Sequence, residues 1–148
     1  MTTVIDGTIV DLKKIINFLQ SAPRRVLMVQ GGPHPTSTDV AQKLAQEIQA
    51  RYIDHLADLL PSLSTFPLES YKPSHLRNDL HRIMDKEKRT VVIANLEPLL
   101  CVWNEADQQR FLLSMASFVH RNILVLFCSL PLRYGSDVSG QLRLYQMH

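Results

Sequence analysis

The stretch Val26-Leu-Met-Val-Gln-Gly-Gly-Pro-His-Pro-Thr-Ser-Thr-Asp-Val-Ala-Gln-Lys-Leu-Ala45 decides the fold. It opens on a short, continuously apolar run, Arg25 to Gln30, which fits a strand covered on both faces. Gly31-Gly32-Pro33 ends that run. Val40, Leu44 and Ile48 then recur every four residues, with Ala41 and Ala45 keeping the same side slim enough to pack on a sheet. Strand, loop and helix in this order open a βαβ unit and outline a phosphate-binding loop. A working loop reads G-x-x-x-x-G-K-[ST]: the glycines let backbone N–H groups face the phosphates, the lysine reaches the outer phosphates, and the hydroxyl holds magnesium. Aligned from Gly31, this chain gives Gly32-Pro33-His34-Pro35, then Thr36 in place of glycine, Ser37 in place of lysine and Thr38 in the hydroxyl position. Gly31, Gly32, Thr36, Ser37 and Thr38 are the candidate phosphate-loop residues, and the loop has lost its charge.

Upstream, Ile9, Leu12, Ile16 and Leu19 step by three and four residues along a first helix, which Pro23 closes. Downstream, Tyr52-Ile-Asp54 reads as a second strand and His55 to Leu60 as a short helical piece. Pro61, Ser62, Ser64, Pro67 and Ser70 make the chain mostly loop as far as Pro73. Pro73 suits a first helical turn, and Leu76, Leu80, Ile83 and Met84 stripe a helix running to about Lys86. The runs Thr90-Val-Val-Ile-Ala-Asn95 and Asn122-Ile-Leu-Val-Leu-Phe-Cys128 are short, β-branched or aromatic, and unalternating, as central parallel strands are. Between them, Asn104-Glu-Ala-Asp starts a helix whose buried face is Phe111, Leu112, Met115, Ala116 and Val119, ending near His120. Pro131, Gly135 and Gly140 loosen the tail before a last apolar piece, Leu142 to Tyr145. Strands alternating with helices at these lengths predict one domain over residues 1–148, an α/β three-layer sandwich with a mainly parallel sheet, P-loop NTPase-like.

Composition agrees with a single folded domain. A chain of 148 residues buries roughly 70% of its unfolded surface, and 45% hydrophobic with 20% charged residues is close to globular usage. The net charge of +2 favours no class of partner. Cys101 and Cys128 stand alone in apolar surroundings, which reads as two buried thiols of a reduced, cytoplasmic protein. No run approaches the roughly 18 apolar residues that span a bilayer, and no charged leader opens the chain.

A nucleotide hydrolase of this architecture ends a second strand in acid, aspartate supporting magnesium and glutamate polarising the attacking water. In Val91-Val-Ile-Ala-Asn-Leu-Glu97 the strand is right, but Ala94 stands where the aspartate falls, and Glu97 lies three residues on. Glu97 is the one candidate catalytic carboxylate, and the alternative for it is a helix cap or turn residue. Thr38 and Glu97 together are a candidate weak magnesium site, since oxygen ligands and water suffice.

The order of these elements resembles the small P-loop protein of BREX-type phage-defence systems. There a leading helix and phosphate loop precede a strand running into a D-N-I-E-L-L-F-like segment, here Ala94-Asn-Leu-Glu-Pro-Leu-Leu100, and an Arg-Asn pair opens the next strand, here Arg121-Asn122. The resemblance covers Ile9 to Phe127 and carries over Gly31, Thr38, Asn95, Glu97 and Arg121; the family's lysine and magnesium aspartate do not carry over, because Ser37 and Ala94 occupy their positions. Arg121, or Arg24 and Arg25, are candidates to replace the lost charge at a nucleotide, and a protonated His34 could touch a phosphate.

Other chemistry finds little footing. There is no G-x-S-x-G elbow, no H-E-x-x-H and no paired cysteine motif. His75, Arg77, Arg82 and Lys86, with Lys88 and Arg89 beyond, make a basic face on the helix after Pro73 that reads as nucleic-acid-binding or, with Asp79 and Asp85 interleaved, simply solvated. Three functions follow. The first is a catalytically degenerate P-loop protein acting as an interaction or regulatory subunit beside other proteins of a defence or DNA-processing complex, or with copies of itself, and requiring no cofactor. The second is a partner-activated subunit that binds or hydrolyses ATP with magnesium. The third is a small nucleic-acid-binding module using Arg77, Arg82, Lys86, Lys88 and Arg89.

Overall fold

The computed structural model describes residues 4–31, 36–55, 70–128 and 142–147. The elements are α1 (Val4–Leu19), β1 (Val26–Gly31), α2 (Thr36–Ile48), β2 (Arg51–Asp54), α3 (Pro73–Lys86), β3 (Val91–Ala94), α4 (Glu97–Val102), α5 (Glu105–Ala116), β4 (Leu124–Cys128) and β5 (Arg143–Met147). The strands lie in the order β2-β3-β4-β1-β5, and every pairing among them is parallel. Val26, Leu27, Met28 and Val29, like Val91 to Ala94 and Leu124 to Cys128, are buried along their whole length, which is why these runs show no polar alternation.

Each face of the sheet carries its own core. On one side, Ile9, Leu12, Ile16 and Leu19 of α1 and Val40, Ala41, Leu44 and Ala45 of α2 pack on Leu27, Val29, Val92, Val125 and Phe127. On the other, Leu76, Leu80 and Met84 of α3, Leu99 and Leu100 of α4, and Phe111, Leu112 and Met115 of α5 pack on Met28, Val91, Ile93 and Leu126. Alternate residues of each strand supply the two cores, the two-residue period of a pleated strand. The result is the three-layer α/β sandwich expected from the sequence.

The helix after Pro73 runs to Lys86 as expected, and Asn104 caps α5 by accepting from the backbone N–H of Asp107 at 2.8 Å. Three local expectations are corrected. α5 stops at Ala116 rather than near His120, so Val119 is 60% exposed, while Phe118 takes the buried place by stacking on His81. Cys101 is exposed on α4 and only Cys128 is buried. The helix α4, which no apolar periodicity announces, forms directly after β3, where Pro98 sits in its first turn. The helical piece expected over 55–60 and the loop after it lie almost wholly outside the described residues. No helix among the described residues is long and apolar enough to cross a membrane.

Candidate functional site

With all strands parallel, the residues that follow β1, β2 and β3 gather at one edge of the sheet, the carboxyl edge where ligands of open α/β sheets bind. Gly31 ends β1 with φ +90°, a left-handed conformation suited to glycine. Gly32 and His34 lie outside the described residues, as does the side chain of Thr36. Beyond them, Ser37 and Thr38 stand in the first turn of α2, and Ser37, in the lysine position, is 3% exposed. A short hydroxymethyl group held there carries no positive charge and has no reach.

Thr38 is tied across the sheet edge. Its Oγ1 donates to Asn95 Oδ1 at 3.2 Å, and Asn95 Nδ2 donates to Asp54 Oδ2 at 2.7 Å. Three elements, α2, the end of β3 and the end of β2, are thereby joined by one chain of hydrogen bonds. Ala94, in the position expected for the magnesium aspartate, is 1% exposed in the core beneath α2, and it is Asn95, the next residue, that contacts Thr38. Strict alternation would send Asn95 to the opposite face from Ala94. Its φ of +61° breaks that alternation, and asparagine is among the few side chains that adopt the left-handed region readily. The group facing Thr38 is therefore a neutral amide, with the Asp54 carboxylate one hydrogen bond further away.

Sequence reasoning misses Asp54 and His55 as site residues; the only signal for them is that the strand Tyr52-Ile-Asp54 ends on an acid. His55 is 1% exposed, and neither ring nitrogen has a hydrogen-bond partner among the described residues. Burial drives its pKa down to about 4, against the opposing pull of the Asp54 and Glu97 carboxylates. It is held as a neutral imidazole. Glu97 is the first residue of α4, one position past the cap residue Leu96 and so not itself the cap, with its charge near His55. Among the described residues no three His, Cys, Asp or Glu side chains are grouped so as to hold a metal ion.

The cationic candidates lie elsewhere. Arg121 precedes β4, so it sits at the amino edge of the parallel sheet, a strand length from Thr38; its carbonyl accepts from Arg25 Nη1. Arg25 also donates to Ala22 O at 3.1 Å, and Arg24 donates to the carbonyl of Ala116. Arg121, Arg24 and Arg25 are corrected as replacements for the loop lysine, since the sequence cannot reveal that the start of β4 and the end of β1 lie at opposite edges.

The basic face of α3 is also changed by packing. Arg77 donates from Nη1 to Ser114 O, and to Ser114 Oγ and Ser117 Oγ at 3.1 Å each, with its guanidinium 5.7 Å from the Phe118 ring centroid. It is a clamp between α3 and α5. Arg82 pairs with Asp79, Arg89 with Glu87 at 3.6 Å, and His75 Nδ1 accepts from the backbone N–H of Lys72 at 2.9 Å. Arg77→Ala is expected to lower the unfolding free energy by about 2 kcal/mol through these lost bonds and the lost stacking. Urea denaturation reads it, and a change under about 0.5 kcal/mol, typical of surface substitutions, would contradict the clamp.

No protein-family model matches the sequence, and comparison with curated proteins gives no match. Solved structures do match. C. elegans PCH-2 superposes with a TM-score of 0.58 at 12% identity, over 99% of this chain and 43% of that one. Drosophila ORC bound to GC-rich DNA and Cdc6 gives 0.53 at 12% identity over 98% of this chain and 29% of that one, and Drosophila ORC bound to DNA gives 0.51 at 14% over 98% and 30%. The chain thus spans less than half the length of these proteins. At such identities the likeness is one of fold: this chain has a mixed α/β fold with a parallel sheet, structurally similar to the folds of P-loop NTPases and AAA+ proteins.

Proposed function

We propose that this chain is a P-loop-type domain whose hydrolytic chemistry has decayed and which works as an interaction or regulatory subunit of a larger complex. The observation that carries the reading is the chain Thr38–Asn95–Asp54, in which an amide stands where charge is needed. A transition state of phosphoryl transfer is stabilised mainly by positive charge, from lysine and from a carboxylate-held metal. Ser37 supplies none, and Asn95 spends both ends of its amide on Thr38 and Asp54. That donor set does not fit a dedicated magnesium site, which favours carboxylate oxygens. Losing the lysine alone removes bonds worth roughly 1.5–3 kcal/mol, or one to two powers of ten in nucleotide affinity. ATP and magnesium are accordingly not required for this role.

The purified protein is expected to release no phosphate from ATP with magnesium above the buffer rate, and Thr38→Ala to leave that result unchanged. Magnesium-dependent hydrolysis that Thr38→Ala abolishes would overturn the reading.

A second reading is favoured by the carboxyl groups of Asp54 and Glu97, which lie at the same edge. In it, another subunit or another copy supplies the missing cation and restores ATP binding. ATP titration with and without candidate partners separates the two readings, since tight binding only with the partner supports the second. For setting, the resemblance to BREX-type proteins favours phage defence, and the Drosophila ORC structures, bound to DNA, favour a DNA-associated assembly. Co-purification from the native host, followed by identification of the associated subunits, tests both settings.

A further inference from the structure

A cleft of about 520 Å³ opens between the first turns of α3 and α5, lined among others by Lys72, Ser74, Arg77, Asp107, Arg110 and Ser114. It shares no residue with the stretch Gly31 to Thr38. Asp107, only 5% exposed, is its organising group: Arg110 Nη1 donates to one carboxylate oxygen at 2.8 Å, and Lys72 Nζ to the other at 3.3 Å. Burial alone would raise the Asp107 pKa, and the bonds and charges of Arg110 and Lys72 outweigh it, so the carboxylate stays ionised below its usual range. One buried anion thus holds two flexible cations side by side, which reduces the ordering they must undergo when a ligand arrives.

Neither cation is used up by Asp107. Their side chains keep 51% and 68% of their exposure, and a lysine has three N–H donors and an arginine five. Arg77, fixed by Ser114 and Ser117, adds a third positive charge that cannot swing away. Three cations against one carboxylate leave a surplus of two positive charges, which matches the roughly −1.5 to −2 of a phosphomonoester at neutral pH. A nucleic-acid backbone would instead need a continued row of cations, and that row is broken where Arg82 pairs with Asp79 and Arg89 with Glu87.

We propose that this cleft is a binding site for a terminal phosphate group, with Lys72 and Arg110 as its ligands, Arg77 as a fixed charge and Asp107 as the positioning residue. The site goes beyond the reading of the phosphate loop and stands whether or not that loop binds nucleotide. Amide chemical shifts of the labelled full chain are followed while inorganic phosphate, and separately a phosphoserine peptide, is added. Shifts are expected at Lys72, Ser74, Asn104 and Arg110, saturating in the millimolar range, with the peptide tighter if the phosphate belongs to a modified protein. Arg110→Gln and Lys72→Gln should each weaken binding about tenfold, and each should lower the melting temperature only modestly, because the remaining cation still compensates the buried Asp107 carboxylate. Asp107→Asn should weaken binding although it removes a negative charge from the cleft, because Lys72 and Arg110 are then no longer held side by side; if it fails to fold, the two exposed variants still decide. Shifts confined to Gly31 through Thr38, no shifts by about 20 mM ligand, or binding of a DNA oligonucleotide in preference to phosphoserine would each overturn the assignment.

Discussion

Gly31→Ala is expected to lower the unfolding free energy by about 3 kcal/mol. Gly31 closes β1 opposite Met147 of β5, with φ at +90°. A methyl group there would lie 2.8 Å from the Met147 carbonyl oxygen and would also collide with the Gln146 side-chain amide. The side chain can rotate aside, but the carbonyl belongs to a paired strand and cannot move without opening the β1–β5 ladder. Left-handed backbone costs a non-glycine residue about 1–2 kcal/mol before that displacement is counted. Gly7 supplies the control of opposite sign. It lies within α1, and a methyl group added there would meet nothing within 4 Å, so Gly7→Ala should stabilise by about 0.5–1 kcal/mol. Urea denaturation of both variants reads the contrast, and equal stabilities for the two would contradict the close approach at Gly31.

The second large effect is a dependence of stability on pH that runs through His55. The unfolded chain takes up a proton at this histidine below its ordinary value of 6.5, whereas burial holds the folded value at about 4. Between those limits the unfolded state binds more protons than the folded one, so stability rises with pH. The contribution is complete above pH 6.5, drains away as the pH falls toward 4, and changes no further once both states are protonated. Over that window it amounts to about 3 kcal/mol. His55→Gln removes the titrating group while keeping a polar side chain of similar size. Denaturation curves for the two proteins should then differ in their pH dependence, with the variant flatter by about that amount. The same slope in both would place the titration elsewhere. A buried imidazole whose two nitrogens find no partner among the described residues is costly to the fold, so the variant also reports how much stability the site holds at neutral pH.

The sheet edge around Thr38 shows how far a sequence can be followed. The motif spacing locates Gly31 and Thr38, and the apolar run locates β3, but the sequence reading pairs Thr38 with Glu97. The actual partner, Asn95, depends on one left-handed dihedral just past the strand, which no local pattern encodes. Asp54 and His55 enter the site because β2 pairs beside β3, with Asp54 level with Ala94. That juxtaposition joins residues 41 positions apart and exists only once the strand order is fixed. Arg121 goes the other way: adjacent in sequence to a correctly placed strand, it lies at the wrong end of that strand to serve the loop. The basic residues of α3 are legible as charges, while the partners of Arg77 on α5 and just beyond it, Ser114 and Ser117, are not, and neither is the pairing of Lys72, just before α3, with Asp107.

The sequence by itself determined the layered α/β architecture, because continuous apolar runs must be covered on both faces and amphipathic helices are what cover them. It also determined that Ser37 stands where a phosphate-binding loop would carry lysine, since an absent side chain is absent in any fold. Only the tertiary structure decided that a neutral asparagine meets Thr38, that a histidine is buried uncharged near the same sheet edge, and that Asp107 gathers Lys72 and Arg110 at a cleft. These outcomes depend on which strand lies beside which and where each helix starts, and the energies involved are those of desolvation and of hydrogen bonds between residues far apart in the chain. Local propensity carries no term for either.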